Sequence, residues 1–151
     1  MAGVEALRTV ADYQFGRGAG AALFPPEGSL EIDRSRSGRP RQLFGDDGRI
    51  ATYTVEGRLV LGLEGGYRLR RGLEAPAYRV AVGEESAPHV RDGRNAFAKF
   101  VRSVDPDVRR GDEVLVVDRD GDLLAVGRAE LSATAMADFE TGVAVMVRRG
   151  A

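Results

Sequence analysis

Closely spaced strand-like runs with glycine-bearing links between them constrain this chain most. Arg49 to Val55 alternates Ile50, Thr52 and Thr54 against Ala51, Tyr53 and Val55. Only Glu56-Gly57 separates it from the next run, Arg58 to Leu63. On the other side, Gly45-Asp46-Asp47-Gly48 joins it to Arg41–Phe44. Two- to four-residue links suit hairpins and are too short for the crossover a parallel pair needs. A short run, Leu30 to Asp33, precedes them, so the segment reads as an antiparallel meander. The pattern returns later. "EVLVV", residues 113–117, is a continuous apolar strand, "DRDGD" is a hairpin turn, and Asp122 to Glu130 is the returning strand.

Helical signals flank these runs. Val4, Leu7, Val10 and Ala11 predict a helix over 4–14 that Gly16 ends, and Ala21 to Phe24 form a helical turn stopped by Pro25-Pro26. "EGGYRLRRG" leads out of the meander as a short helix or turn. "LEAPAY", residues 73–78, lacks a strong period and marks the boundary between two domains, 1–75 and 76–151. Beyond it, Arg79 to Val82 is a strand and "SAPHVRDG" a loop. Asn95 to Val101 is a short helix with Asn95 as N-cap, and Phe97, Phe100 and Val101 face the core. Ser132 caps a helix through Phe139, and Gly142 to Arg148 is a last strand. Both halves read as α+β with mostly antiparallel sheet.

Composition narrows the function classes. An apolar fraction of 43% and a charged fraction of 30% describe a soluble globular protein. The formal net charge of −1 gives no global field toward nucleic acid, so a polyanion site must be a local patch. Cysteine is absent, which removes disulfides, thiolate metal sites and a cysteine nucleophile. No apolar run approaches membrane-spanning length, and no basic region followed by an apolar stretch opens the chain, so no membrane role is expected and a cytoplasmic protein is the default. Lys99 is the only lysine beside 21 arginines, a bias typical of GC-rich genomes.

Candidate catalytic features dissolve on inspection. Asp118, Asp120 and Asp122 have the spacing that opens a calcium loop, but the glycine stands at the fourth position and Ala129 at the twelfth, so a hairpin is the better reading. "GRGAG", residues 16–20, follows a helix rather than a strand, and Pro25 comes soon after. It reads as a corner between helices, not a phosphate loop. His89, the one histidine, lies near Ser86 and Asp92 without the strand-to-helix elbow of a nucleophile, so a surface loop position is expected. No metal site, cofactor site or active site is expected, and the chain reads as a non-enzyme.

Two basic stretches remain. Arg34, Arg36, Arg39 and Arg41 crowd into eight residues with Ser35, Ser37 and Gly38 between them. Guanidinium forks suit phosphate oxygens, and an arginine-rich edge strand also blocks edge pairing; the residues alone support both readings equally. In "GRNAFAKFV", residues 93–101, Lys99 and Arg102 share the outer side of the expected helix. Arg91, Gly93 and Arg94 form a loop at its N-terminus, where free N–H groups and a positive dipole suit phosphate. Charge alone favours a solvated helix face there.

A family resemblance shifts that balance. "RVAV", "VRDGRNAFAKFV", "DPDVRRGDEVLVVDRDGDLLAVGRAELS" and "FETGVAVMVRRG" follow one another as in a PUA domain, so residues 79–150 resemble that small RNA-binding pseudobarrel, which is mostly β with short helices. "VADYQFGRGAGAALFP", "SRSGRPRQ" and "GRLVLGLEGGYRL" resemble the domain that precedes PUA in archaeal tRNA-guanine transglycosylases and archaeosine synthases. The large catalytic barrel of those enzymes has no counterpart among these residues. The resemblance therefore implies their C-terminal RNA-binding portion as a separate protein. Its implied ligand is tRNA or another structured RNA, and its implied role is accessory to tRNA modification such as archaeosine formation. Carried over by position, the PUA site comprises Arg91, Gly93, Arg94, Asn95, Lys99 and Arg102, with Arg148 and Arg149 from the closing strand. Arg34, Arg36 and Arg39 join them on charge alone. The alternative is a scaffold that docks a tRNA-modifying enzyme lacking its own PUA region and touches RNA little.

Overall fold

The computed structural model of the chain describes residues 3–151. It divides into two compact units, one ending at Leu73 and the other beginning at Glu74. The first unit opens with α1 (Val4–Phe15) and α2 (Ala19–Leu23), followed by β1 (Glu31–Arg34), β2 (Pro40–Gly45), β3 (Gly48–Tyr53) and β4 (Leu59–Leu61), and closes with α3 (Leu63–Gly72). The strands form one antiparallel sheet in the order β1-β2-β3-β4, the expected meander. Period-2 alternation decides its inner face. Leu43, Ala51 and Leu61 stand opposite one another across three strands and are fully buried, while the neighbouring row Gln42, Thr52 and Val60 is only half-buried.

The helices pack closely on this unit because glycines stand at the contacts. A Cβ built on Gly65 would lie 2.1 Å from the Ile50 carbonyl oxygen, which brings α3 against β3. One on Gly20 would lie 2.4 Å from the Arg8 carbonyl oxygen, so "GRGAG" is the expected helix corner. Arg68 on α3 ties the layers together: its Nε donates to Glu64 at 2.9 Å and its Nη1 to the Leu23 carbonyl at 2.8 Å.

The second unit comprises β5 (Arg79–Val82), α4 (Ala87–Arg91), β6 (Ala96–Phe97), a 3-10 turn (Ala98–Phe100), β7 (Val101–Val104), β8 (Glu113–Val117), β9 (Leu123–Ala129), α5 (Ala133–Asp138) and β10 (Val143–Gly150). Its six strands run in the order β6-β10-β9-β8-β5-β7 and form a nearly closed pseudobarrel. All pairs are antiparallel except β5 with β8. Every residue of β8 is buried: the apolar run Val114 to Val117 is that of a strand covered on both faces, and Glu113 ahead of it is buried against Arg148. Val80, Val82, Val90, Val114, Val116 and Leu124 form the centre of the core. In the "DRDGD" turn Asp118 Oδ1 accepts from the N–H groups of Asp120 and Asp122 at 2.9 and 3.0 Å. The carboxylate therefore serves the hairpin. Ser132 caps α5 by accepting from the Ala135 N–H at 3.2 Å.

Two expectations are corrected in this unit. "SAPHVRDG" is not a loop, because residues 87–91 form α4. Pro88 lies in the first turn, where its missing N–H is not needed, and fully buried Val90 anchors the helix to the core. His89 is therefore an exposed helical residue. Residues 95–101 are not a helix. Ala96 and Phe97 pair with Val145 and Val143 of β10, and Ala98 N–H donates to the Gly142 carbonyl at 2.9 Å. The buried residues are Ala96 and Ala98, while Phe97 is 43% exposed and Phe100 and Val101 are half-buried. The small residues point inward with period two, and the helical spacing of the phenylalanines misled. Asn95 is no N-cap; its Oδ1 accepts from the Val147 N–H of β10 at 2.9 Å.

Candidate nucleic-acid interface

With no helix at residues 95–101, a phosphate seat on that helix's N-terminus is lost. The structure supplies a different arrangement. Arg91 is the last residue of α4, and the chain then turns through Gly93, at φ 99°, into Arg94. The end of β10 backs directly onto this turn. A Cβ on Gly150 would lie 2.1 Å from the Arg91 carbonyl oxygen and 2.8 Å from the Gly93 nitrogen, so only glycine permits the approach. The Asn95–Val147 bond fastens the same two segments one step further on. Arg149 precedes Gly150 in β10, and Arg91 and Arg94 flank the turn that Gly150 meets. All three are exposed, and among the described residues none pairs with a carboxylate.

The other candidates in this unit are placed differently. Arg148 grips Glu113 with both Nη atoms, each at 2.7 Å, and Glu113 is only 4% exposed. This bidentate pair neutralises the Arg148 charge inside the protein. Lys99 and Arg102 lie at the other end of β6, along a groove of about 290 Å³ between β7 and α5. Arg102 is paired with Glu85 and donates to the Lys99 carbonyl at 3.3 Å. The Lys99 ammonium stands 5.0 Å from the centroid of the Phe100 ring and has no carboxylate partner among the described residues. Arg91 also lines a groove of about 410 Å³ with Arg119, which donates to Glu84 at 2.8 Å, and this bond holds the Arg119 guanidinium above the usual range. Asp92, Asp118 and Asp120 line that groove as well and set negative charge beside Arg91.

In the first unit the arginine-rich stretch is the turn between β1 and β2. Arg34 Nη1 donates to the Gly38 carbonyl at 2.9 Å. Arg39 Nη1 donates to the Tyr53 and Thr54 carbonyls at 3.3 and 3.2 Å, and its guanidinium lies 5.8 Å from the Tyr53 ring centroid. Arg36, at the exposed tip, has no carboxylate partner among the described residues. Two of the three candidates thus hold their own hairpin, and one faces solvent.

Among the described residues no group of three or more histidines and carboxylates is disposed to hold a metal ion. None of their helices is long and apolar enough to cross a membrane. Sequence reasoning missed Gly150, Glu113 and Glu85. A glycine inside a closing strand is itself a signal of close backbone approach. The two glutamates act on arginines 35 and 17 residues away, a distance no local pattern reveals.

Residues 5–76 match the patch-forming domain C2 of tRNA-guanine transglycosylase, and residues 78–151 match the PUA domain. A tRNA-guanine(15) transglycosylase of Methanothermobacter thermautotrophicus is 47% identical over 149 residues, which cover 97% of this chain and 22% of that protein. The chain thus spans about a fifth of the length of such curated relatives and corresponds to their C-terminal part. A hypothetical protein of Pyrococcus horikoshii has the same fold, with a TM-score of 0.75 at 20% identity over 97% of this chain and 89% of that one. So does a conserved PUA domain protein of Thermoplasma acidophilum, with a TM-score of 0.65 at 23% identity over 95% of this chain and 89% of that one.

Proposed function

Since the chain joins a patch-forming C2 domain of the tRNA-guanine transglycosylase kind to a PUA domain, we propose that it is a non-catalytic RNA-binding protein that grips tRNA or another structured RNA in the service of tRNA modification. The observation that carries this reading is the corner where α4 and β10 meet, around which Arg91, Arg94 and Arg149 are exposed, with no carboxylate among the described residues pairing with them. Their forks suit the phosphates of an A-form stem, which proteins read mainly through shape, 2′-hydroxyls and phosphates. Gly93 and Asn95 give the corner its shape. Lys99 extends the positive edge along β6, and Arg102 does so in company with Glu85. Arg148 supports the strand from below through Glu113.

Binding of tRNA across a salt series tests this. Wild type should bind with a clear salt slope. Arg91→Ala, Arg94→Ala and Arg149→Ala should each weaken binding about three- to tenfold at low salt and reduce the slope by about one. Absence of binding by wild type at low salt would falsify the reading.

One observation favours a second reading, the scaffold. Tyr13 is 92% and Val55 78% exposed, and Tyr13 borders a groove of about 360 Å³ lined also by Val10, Gln14, Gly57 and Arg58. Exposed apolar surface of this kind marks docking sites. On this reading a tRNA-modifying enzyme without its own PUA region co-purifies with wild type and is lost with Tyr13→Ser, and tRNA affinity is unaffected.

A further inference from the structure

Helix α1 carries two apolar stripes, and the core of the first unit uses one of them. Leu7, Ala11 and Phe15 are buried. Ala6, Val10 and Tyr13 recur at i, i+4 and i+7 on another face, where Ala6 and Tyr13 are exposed and Val10 is only half-buried. The Tyr13 ring stands at the edge of the groove of about 360 Å³. Gly57 and Arg58, in the turn between β3 and β4, line the groove too, and Val55 in the same turn is exposed. The Gln14 amide fixes this turn to the helix. Its Oε1 accepts from the Leu59 N–H at 2.7 Å, and its Nε2 donates to the Leu59 carbonyl at 2.8 Å. The groove is therefore built into the unit.

We infer that this face is an interface with a second copy of the chain, a two-fold dimer in which the Tyr13 ring of each protomer enters the groove of the other. A two-fold contact is isologous, so one patch must carry both a projection and a recess that accepts it. Tyr13 and the groove it borders stand side by side and meet that condition. A two-fold axis crossing α1 at right angles near Val10 sets the two helices antiparallel. Glu5, exposed in the first turn of one helix, then faces the far end of the other, where Arg17 is exposed and has no carboxylate partner among the described residues. The helix macrodipoles are also opposed in this arrangement. The patch thus complements itself in charge as well as in shape. An aromatic anchor among apolar neighbours with a charged rim is the anatomy of an interface centre. One helix stripe and one turn make a small patch, at the low end of specific interfaces, so the dimer forms and dissociates freely. The RNA-binding reading does not depend on this dimer, whereas the scaffold reading competes with it for the same face.

Sedimentation velocity of the full chain over a concentration series tests the inference. Wild type should pass from monomer to dimer with a Kd on the order of 10 μM. Tyr13→Ser acts at an exposed position, so the urea midpoint should stay where it is while dimer formation weakens at least about tenfold. Val55→Asp should weaken it as well. Charge reversal reads the orientation: Arg17→Glu should weaken the dimer about two- to threefold, and adding Glu5→Arg should restore it. Since the chain has no cysteine, Thr9→Cys, beside the axis, should oxidise to a disulfide-linked dimer, whereas Arg36→Cys on the β1–β2 turn should not. The inference is overturned if wild type stays monomeric at the highest concentration, or if Tyr13→Ser and Val55→Asp leave the dimer intact. A charge swap that fails to restore the dimer overturns the antiparallel arrangement. A monomer that captures an enzyme through Tyr13 overturns the dimer in favour of the scaffold.

Discussion

Arg148 brings both Nη atoms to 2.7 Å from the Glu113 carboxylate, whereas Arg149, its neighbour in β10, pairs with no carboxylate among the described residues. The two side chains should therefore fail differently. Glu113→Gln removes the counter-charge of a partly buried guanidinium and should destabilise the protein by about 1–3 kcal/mol in urea unfolding, without lowering tRNA affinity. Arg149→Ala should leave the urea midpoint nearly unchanged and weaken tRNA binding. Tyr78 adds a residue-scale effect of pH. Burial first, then Asp112, Asp105 and Asp107, push its phenol above the ordinary value of 10.0. Above that pH the unfolded chain gives up the proton while the native one keeps it, so this stabilisation is complete below pH 10 and is lost as pH rises through the raised native value. Tyr78→Phe should flatten the fall of the melting temperature as pH rises above 10.

At the scale of elements, the corner depends on backbones meeting without side chains between them. Gly150→Ala would place a methyl 2.1 Å from the Arg91 carbonyl oxygen, where backbone rather than a flexible side chain must give way. It should cost about 1–3 kcal/mol of stability and weaken tRNA binding as well, because Arg149 moves with the strand. Gly93→Ala has room for its methyl but is strained by φ 99°, so it should cost about 1–2 kcal/mol by the same urea measurement. The hairpin-linked strands were legible in the sequence because their causes are local, whereas β6 and β7 were not read as strands. Asp46-Asp47, Glu56-Gly57 and "DRDGD" fix hairpins within a few residues, and β8 shows its double burial in five consecutive letters. The path from α4 through β6 was not, because its causes are distant. Ala96 and Ala98 are drawn inward by pairing with β10 nearly 50 residues on, and Asn95 bonds Val147 across 52. The choice of arginines was legible only as a pool. Which of them stay open is decided by Glu113 and Glu85, which tertiary folding alone brings into place.

For the whole molecule, a net charge of −1 means that attraction to RNA comes from the open cations and from little else. Among the candidate residues of the second unit these are Arg91, Arg94, Lys99 and Arg149, since Arg102 and Arg148 spend their charge on glutamates. Each phosphate contact contributes somewhat less than one to the slope of log K against log salt, so these four residues acting by themselves should give a slope of about three. The first unit offers Arg36, held out at a turn that Arg34 and Arg39 brace. If one RNA engages both units, the wild-type slope should approach four and Arg36→Ala should return it to about three. If only the second unit engages, Arg36→Ala should leave affinity and slope unchanged while Arg94→Ala lowers both. A total slope near zero, with binding retained, would mean that stacking and shape rather than the open arginines carry the interaction.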